Sequence, residues 1–298
     1  MLGVVWLLDA GLQLQSYMFT RAFSSDLIAG AAAGQAGFVS APVLRAAAII
    51  GAHPLPWNAL FALIQCAIGV GLLSGRATKP ALVASMVWAS SVWYLGEGLG
   101  GITGGSAWLL IGAPGAALVY VVLSAAGWPT MQTEMPPRWL TLAWASYWVG
   151  GALLQLRNGP TRGPELAANV AGAANGAPGW VSRLDFSLAR NLNARSHVEI
   201  LLLVVVQAII GLAVFGPRLA SAIALVFGAV VATGLWVVGQ GLGQLTSGHA
   251  TDLNIGPLIV LLAAATHASE TRRYGRANTV PVVGRRTARA GRYRRALS

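Results

Sequence analysis

The sequence predicts an all-α polytopic integral membrane protein, with about eight transmembrane helices arranged as two tandem, parallel four-helix repeats. Three observations predict it. Of the 298 residues, 55% are hydrophobic and 10% are charged, with a mean hydropathy of +0.63, whereas a soluble domain carries about 25% charged residues. Eight apolar runs, the last of them the shortest, approach or reach the roughly 17–25 residues that a hydrocarbon core demands. A stretch in the first half recurs in the second. The composition also argues against a soluble enzyme. Cys66, the only cysteine, lies inside an apolar run, so the chain alone forms no disulfide and no Cys-ligated zinc or iron–sulfur cluster.

The runs fall, in order, at 2–19, 57–74, 81–97, 107–126, 139–156, 200–216, 219–238 and 254–268. The first has no basic n-region, carries Asp9 in its middle and lacks a cleavage site, so it reads as a retained helix and not as a signal peptide. The segments 20–56 and 157–199 are long outer loops, each with a short amphipathic helix at 41–52 and 183–195. Short connectors on the other side hold Arg76 and Lys79, Arg138, and Arg218. An excess of Arg and Lys in short loops marks the cytoplasmic side, whereas the loops 98–106 and 239–253 contain neither residue. A multi-pass protein of the bacterial plasma membrane with both termini cytoplasmic follows.

After the last run comes a tail, 269–298, expected to be disordered. It holds nine of the chain's twenty Arg and Lys residues, among them Arg272, Arg273, Arg285 and Arg286. Beside a hydrophobic body the partner of such a tail is the anionic lipid headgroup and not nucleic acid, at about 1 kcal/mol per basic residue near the surface.

The recurring stretch is Trp93-Tyr94-Leu95-Gly96-Glu97-Gly98-Leu99-Gly100-Gly101-Ile102-Thr103-Gly104-Gly105. It aligns without gaps on residues 236–248 at an offset of 143, with seven of thirteen positions identical. The same offset pairs Pro114 with Pro257. An offset of 142 pairs Gln13 with Gln155, Gln65 with Gln207, Gly69 with Gly211, and Gly37-Phe38-Val39-Ser40 with Gly179-Trp180-Val181-Ser182. One single-residue indel between residues 70 and 93 reconciles the two. The expected units are a first four-helix repeat, 1–127, and a second, 138–268. An even number of spans per copy relates them by an axis along the membrane normal, with a ligand pocket expected between the halves at the outer third.

Four-span units with a long first outer segment resemble the DoxX-like membrane proteins, whose better characterised relatives are small subunits of thiosulfate:quinone oxidoreductase. The resemblance is one of architecture and covers each half. It implies a membrane subunit that handles a lipophilic or quinone-type redox partner, with quinone as the implied cofactor. The turn Gly96-Glu97-Gly98-Leu99-Gly100-Gly101 also resembles that of uncharacterised polytopic membrane proteins from actinobacteria, a likeness that implies no function.

The ligand-binding candidates are Asp9, Glu97, Gly98, Gln240, Pro114 and Pro257. A carboxylate inside a membrane span is costly and faces a bundle interior or a polar cavity. Asp9 is therefore either a working proton acceptor or a neutral acid satisfied by a polar neighbour such as Gln13 or by a side chain on another span. Its aligned position is Gly151, and that of Glu97 is Gln240, so the first half is acidic where the second is neutral. The spacing Gly96-x-Gly98-x-x-Gly101 is that of a dinucleotide fingerprint, but it lacks the βαβ context that the fingerprint needs. The glycines serve either close backbone approach and positive φ, or a cradle for a ligand, with Pro114 and Pro257 breaking the following helix. His53, His197, His249 and Asp252 would together suit copper or zinc. Their spacing carries no ligand signature, and histidines at the membrane interface are the other account. A small-solute carrier or channel using a protonatable Asp9, and a non-enzymatic scaffold for a membrane-protein partner, complete the readings. No nucleophile, Walker or metalloprotease motif is present.

Overall fold

The computed structural model describes residues 1–105, 107–129, 138–158, 163–192 and 197–279. Among them the fold is all-α. The helices are α1 (Leu2–Leu12), α2 (Gly37–Ala52), α3 (Pro54–Ser74), α4 (Thr78–Leu95), α5 (Ala116–Ala126), α6 (Trp139–Asn158), α7 (Gly163–Ala173), α8 (Gly179–Leu192), α9 (His197–Ala213), α10 (Arg218–Val237) and α11 (Ile255–Thr279).

In the first half α1 packs on α3, α3 on α4, and α4 on α5; in the second α6 packs on α9, α9 on α10, and α10 on α11. The halves meet where α5 packs on α11. Glycines set the closest approaches. A Cβ at Gly69 of α3 would stand 2.7 Å from the Leu7 side chain, and one at Gly211 of α9 would stand 2.7 Å from Val149. The sequence alignment equates these two contacts, Gly69 with Gly211 and Leu7 with Val149.

Among the described residues two helices, α3 and α10, are long and apolar enough to cross a membrane, and each is only 28% buried over its most apolar window. Two of the expected spans differ from the prediction. The run 2–19 is α-helical only to Leu12 and then turns through a 3-10 segment, Ser16–Phe19. The run 107–126 holds a 3-10 turn, Leu109–Ile111, and becomes α-helical only at Ala116, because Gly112, Pro114 and Gly115 interrupt it and both glycines have positive φ. Each α-helix there has 11 residues, about 16 Å at 1.5 Å per residue, short of a hydrocarbon core of about 30 Å.

The long loops are mostly helical. The expected amphipathic helices begin earlier, at Gly37 and Gly179, and residues 193–195 lie outside the described residues. Before α2 the chain forms a π-helical segment, Phe23–Ile28, and a 3-10 turn, Ala29–Ala32; before α8 it forms the regular α7. At the other end, α11 runs on to Thr279, so the stretch 269–279 expected in the disordered tail is helical, while 280–298 lie outside the described residues. Pro257 sits in the first turn of α11, where a missing N–H costs nothing, and does not break it.

Candidate functional site: a cavity with three buried carboxyl groups

The Gly-rich turn that follows α4 is unusual backbone. Gly98, Leu99 and Gly100 have φ of 54°, 56° and 63°, and Gly241, Leu242 and Gly243 after α10 have 55°, 57° and 65°. Successive left-handed residues reverse the chain tightly, and glycine allows it without a Cβ clash. The tightness is also an approach to another segment. A Cβ at Gly98 would lie 2.3 Å from the Ala31 carbonyl oxygen, and one at Gly241 would lie 2.4 Å from that of Ala173.

These turns hold the first functional side chains in place. Glu97 sits at the start of α5, where its Oε1 accepts from the Ala117 N–H at 3.1 Å. An acid at a helix N-terminus is favoured by the helix dipole. Its Oε2 is buried without a hydrogen-bond partner. Asp9, 1% exposed on α1, accepts from the Tyr120 hydroxyl of α5 and, at 3.3 Å, from the Leu253 N–H. Of the two kinds of neighbour expected to satisfy it, a side chain on another helix does so, while Gln13 donates to Asn58. Tyr120 is fixed in turn, its ring 4.5 Å from that of Trp6. The Trp6 indole N–H donates to Ser85 at 2.8 Å, and Ser85 is bonded to Ser124 at 2.7 Å.

Asp9 and Glu97 open onto one cavity of about 350 Å³, walled by α1, α3, α4 and α5 and closed on one side by α2 and the π-helical segment. Its walls are mainly apolar and aromatic, with Trp6, Phe23, Trp57, Phe61, Trp88 and Tyr120. A third acid, Asp252, reaches it from the second half. Asp252 accepts from the Thr251 hydroxyl at 2.8 Å and from the Asn254 N–H at 2.6 Å. Burial pushes its carboxyl above the usual carboxylate range, against the lowering effect of those two donors.

Asp252 arrives because the two halves exchange loops. The loop 249–254 lies on the first half, with Ala250 O accepting from Gln15 at 3.0 Å and the His249 ring 4.1 Å from that of Tyr17. The loop 107–112 lies on the second half. There Trp108 and Leu110 are buried with Leu166, Val170 and Ile200. Leu109 fills the place beside Gly151, where a Cβ would lie 1.6 Å from Leu109 Cδ1, and its carbonyl accepts from Gln240 Nε2 at 3.3 Å. Under the offset of 143, Leu109 is the counterpart of Asp252. Asp9, Glu97 and Asp252 in one half therefore face Gly151, Gln240 and Leu109 in the other.

The pocket thus lies within the first half and not between the halves, with Thr251 and Asp252 as the second half's contribution. Gly98 shapes the turn beneath Glu97 without lining the cavity, and the Pro114 carbonyl accepts from the Trp93 indole at 2.7 Å. Gln240 and Pro257 are elsewhere. The metal candidates do not assemble: among the described residues no three His, Cys, Asp or Glu side chains are grouped to hold an ion. His53 is exposed at the start of α3, and nothing is described of the His197 side chain. Asp252 is the cavity residue that the sequence places with the histidines instead of with Asp9 and Glu97, and its alignment with Leu109 is the signal that could have found it. Comparison with protein families, curated proteins and solved structures finds no match for this chain.

Proposed function

We propose that this is an integral protein of the bacterial plasma membrane, spanning it about eight times as two tandem four-helix halves with cytoplasmic termini, and that its first half holds a lipophilic small molecule. The cavity that brings Asp9, Glu97 and Asp252 together behind aromatic walls is the observation that carries the ligand. Sites of this kind, apolar with a few placed polar groups, are the usual form of small-molecule pockets. The membrane is supported by an inside-out distribution of polarity. Leu63, Val87, Ile209 and Val226 are 65%, 62%, 58% and 66% exposed, while Asn58, Ser85 and Gln207 are 0% exposed. Large continuous apolar faces of that kind need a partner surface, and lipid supplies it. The short α1 and α5 are completed as spans by the 3-10 and irregular segments beside them. Anionic headgroups are the partner of the basic end of α11, where Arg272 is exposed.

The resemblance to DoxX-like proteins makes a quinone-type partner the specific redox reading. One observation favours it: the Trp88 indole N–H on the cavity wall is buried without a partner, and a quinone carbonyl would accept from it. Asp9 and Glu97 would then exchange protons or hydrogen bonds with the head group. A carrier for a small solute would use the same three acids. The test is organic extraction of gently purified protein, with mass spectrometry and an absorption spectrum of the same sample. A lipophilic compound at about one per chain, depleted in Phe61→Trp with an unchanged thermal midpoint, is expected. Protein that comes off clean from native membranes, and takes up no lipophilic probe afterwards, would sink the ligand reading.

A further inference from the structure

We propose that the first-half cavity is built for an organic cation, an ammonium group on an apolar or aryl body, taken up in exchange for a proton. The inference rests on the reading of the cavity as a ligand site and names the ligand's charge.

Charge balance makes the argument. Asp9 from α1, Glu97 from the turn after α4 and Asp252 from the loop 249–254 share one cavity, and among the described residues no Lys, Arg or His lines it. Arg21 and Arg45, on the segments that close the cavity, are exposed, as are Asp26 and His53. The remaining titratable group on the wall is Tyr120, which donates to Asp9. Several acids in a low-dielectric space cannot all be charged without a cation, so each holds a proton or is balanced by a ligand. The hydrogen-bond inventory points the same way. Glu97 Oε2 and Gln65 Oε1 are buried acceptors without a donor, and an ammonium group is donor only. The faces of Trp6, Trp57, Phe61 and Trp88 attract a cation through their ring quadrupoles while covering its apolar body. Asp9 already has two donors, from Tyr120 and Leu253, that hold its charged form once a cation neutralises the site. Entry of one monovalent cation then releases one proton to bulk water, so charge is conserved and no covalent bond changes.

The second half supplies the contrast within the same chain. Where the alignment places three acids' counterparts, it has Gly151, Gln240 and Leu109, none of them ionisable, and Leu109 occupies the space. One cation per chain follows.

The full-length protein in lipid nanodiscs tests this by tryptophan fluorescence, with three probes: phenethylammonium, whose N–H groups can donate, its neutral carbon isostere propylbenzene, and menadione. The ammonium probe should bind at least tenfold more tightly than the isostere, at about one per chain. Its affinity should rise with pH by up to about tenfold per unit, the slope of one released proton. Asp252→Asn should weaken it at least tenfold and flatten the slope, while Gln207→Met in the second half leaves it unchanged. The pH slope of the unmodified protein keeps the test alive if a variant does not fold. Equal binding of ammonium and isostere, or binding of menadione alone, overturns the cation and leaves the ligand site standing. Binding of none of the three overturns both.

Discussion

The halves differ in acidity at three aligned positions around the first cavity: Asp9, Glu97 and Asp252 there, against Gly151, Gln240 and Leu109 in the second half, whose own buried acid, Asp185, lies on α8. The surrounding scaffold is alike. The left-handed turns agree within a few degrees at Gly98 to Gly100 and Gly241 to Gly243, and Gly69 and Gly211 make the same kind of close helix contact. What differs is what the exchanged loops deliver, an acid in one direction and a leucine in the other. A loop that crosses to the opposite half thus decides whether a pocket stays open and charged or becomes packed core. The second half keeps a trace of polarity, since the amide ends of Gln155 and Gln207 are buried without protein partners, whereas Gln13 bonds to Asn58.

The largest effect is expected where the leucine is seated. A Cβ at Gly151 would stand 1.6 Å from Leu109 Cδ1 and 3.3 Å from Gln207 Oε1, so Gly151→Ala forces Leu109 out or α6 aside. Overpacking of this kind costs about 1–3 kcal/mol. The thermal midpoint of detergent-solubilised protein should fall, and Leu109→Ala added to it should restore part of the loss. A Gly151→Ala protein as stable as its parent would mean that Leu109 does not fill the second half.

The sequence made some of this legible and hid the rest for physical reasons. Apolar runs betray helices, and Asp9 and Glu97 stand out because a carboxylate inside such a run is expensive. The end of α1 at Leu12 is hidden because Leu14, Met18 and Phe19 keep the run apolar after the helix has stopped. Likewise Ala107 to Ile111 reads as the start of a span, although Gly112, Pro114 and Gly115 stop the helix from starting before Ala116. Periodicity reports local geometry. It is silent on which loop crosses to the other half, so the sequence groups Asp252, far along the chain from Asp9, with His53, His197 and His249. The alignment of Leu109 with Asp252 contains the information, but only contact geometry shows that each residue sits in the other half.

A smaller effect concerns the acid that crosses. Burial raises the Asp252 carboxyl above the usual carboxylate range, so the folded protein holds that proton more tightly than the unfolded chain. Stability from this group is fully present below the unfolded value, about 3.9, and is lost as pH rises through the folded one. Asp252→Asn cannot ionise. Its stability relative to the parent should therefore grow as pH rises from the acid side toward neutrality, read as the difference in thermal midpoint across that range in ligand-free detergent. A difference that shrinks or stays flat would place Asp252 in water and remove it from the cavity.

The smallest expected effect uses the turns that the halves share. Leu99 and Leu242 both lie at positive φ, 56° and 57°, where an L-residue costs roughly 1–2 kcal/mol. Glycine removes that cost but gives back roughly 0.5–1 kcal/mol through the freedom it adds to the unfolded chain. Leu242→Gly should therefore be neutral or stabilising by up to about 1.5 kcal/mol. Leu99 differs in what its side chain touches, since it packs against the cluster around Met18, Val39 and Val43. Its removal loses that burial, worth about 1.5–3 kcal/mol for a fully buried leucine, so Leu99→Gly should lower the midpoint. Matching backbone with opposite responses would locate the difference in packing around the first turn. A common sign in both variants would mean that backbone strain, and not the packed segment before α2, governs the two turns alike.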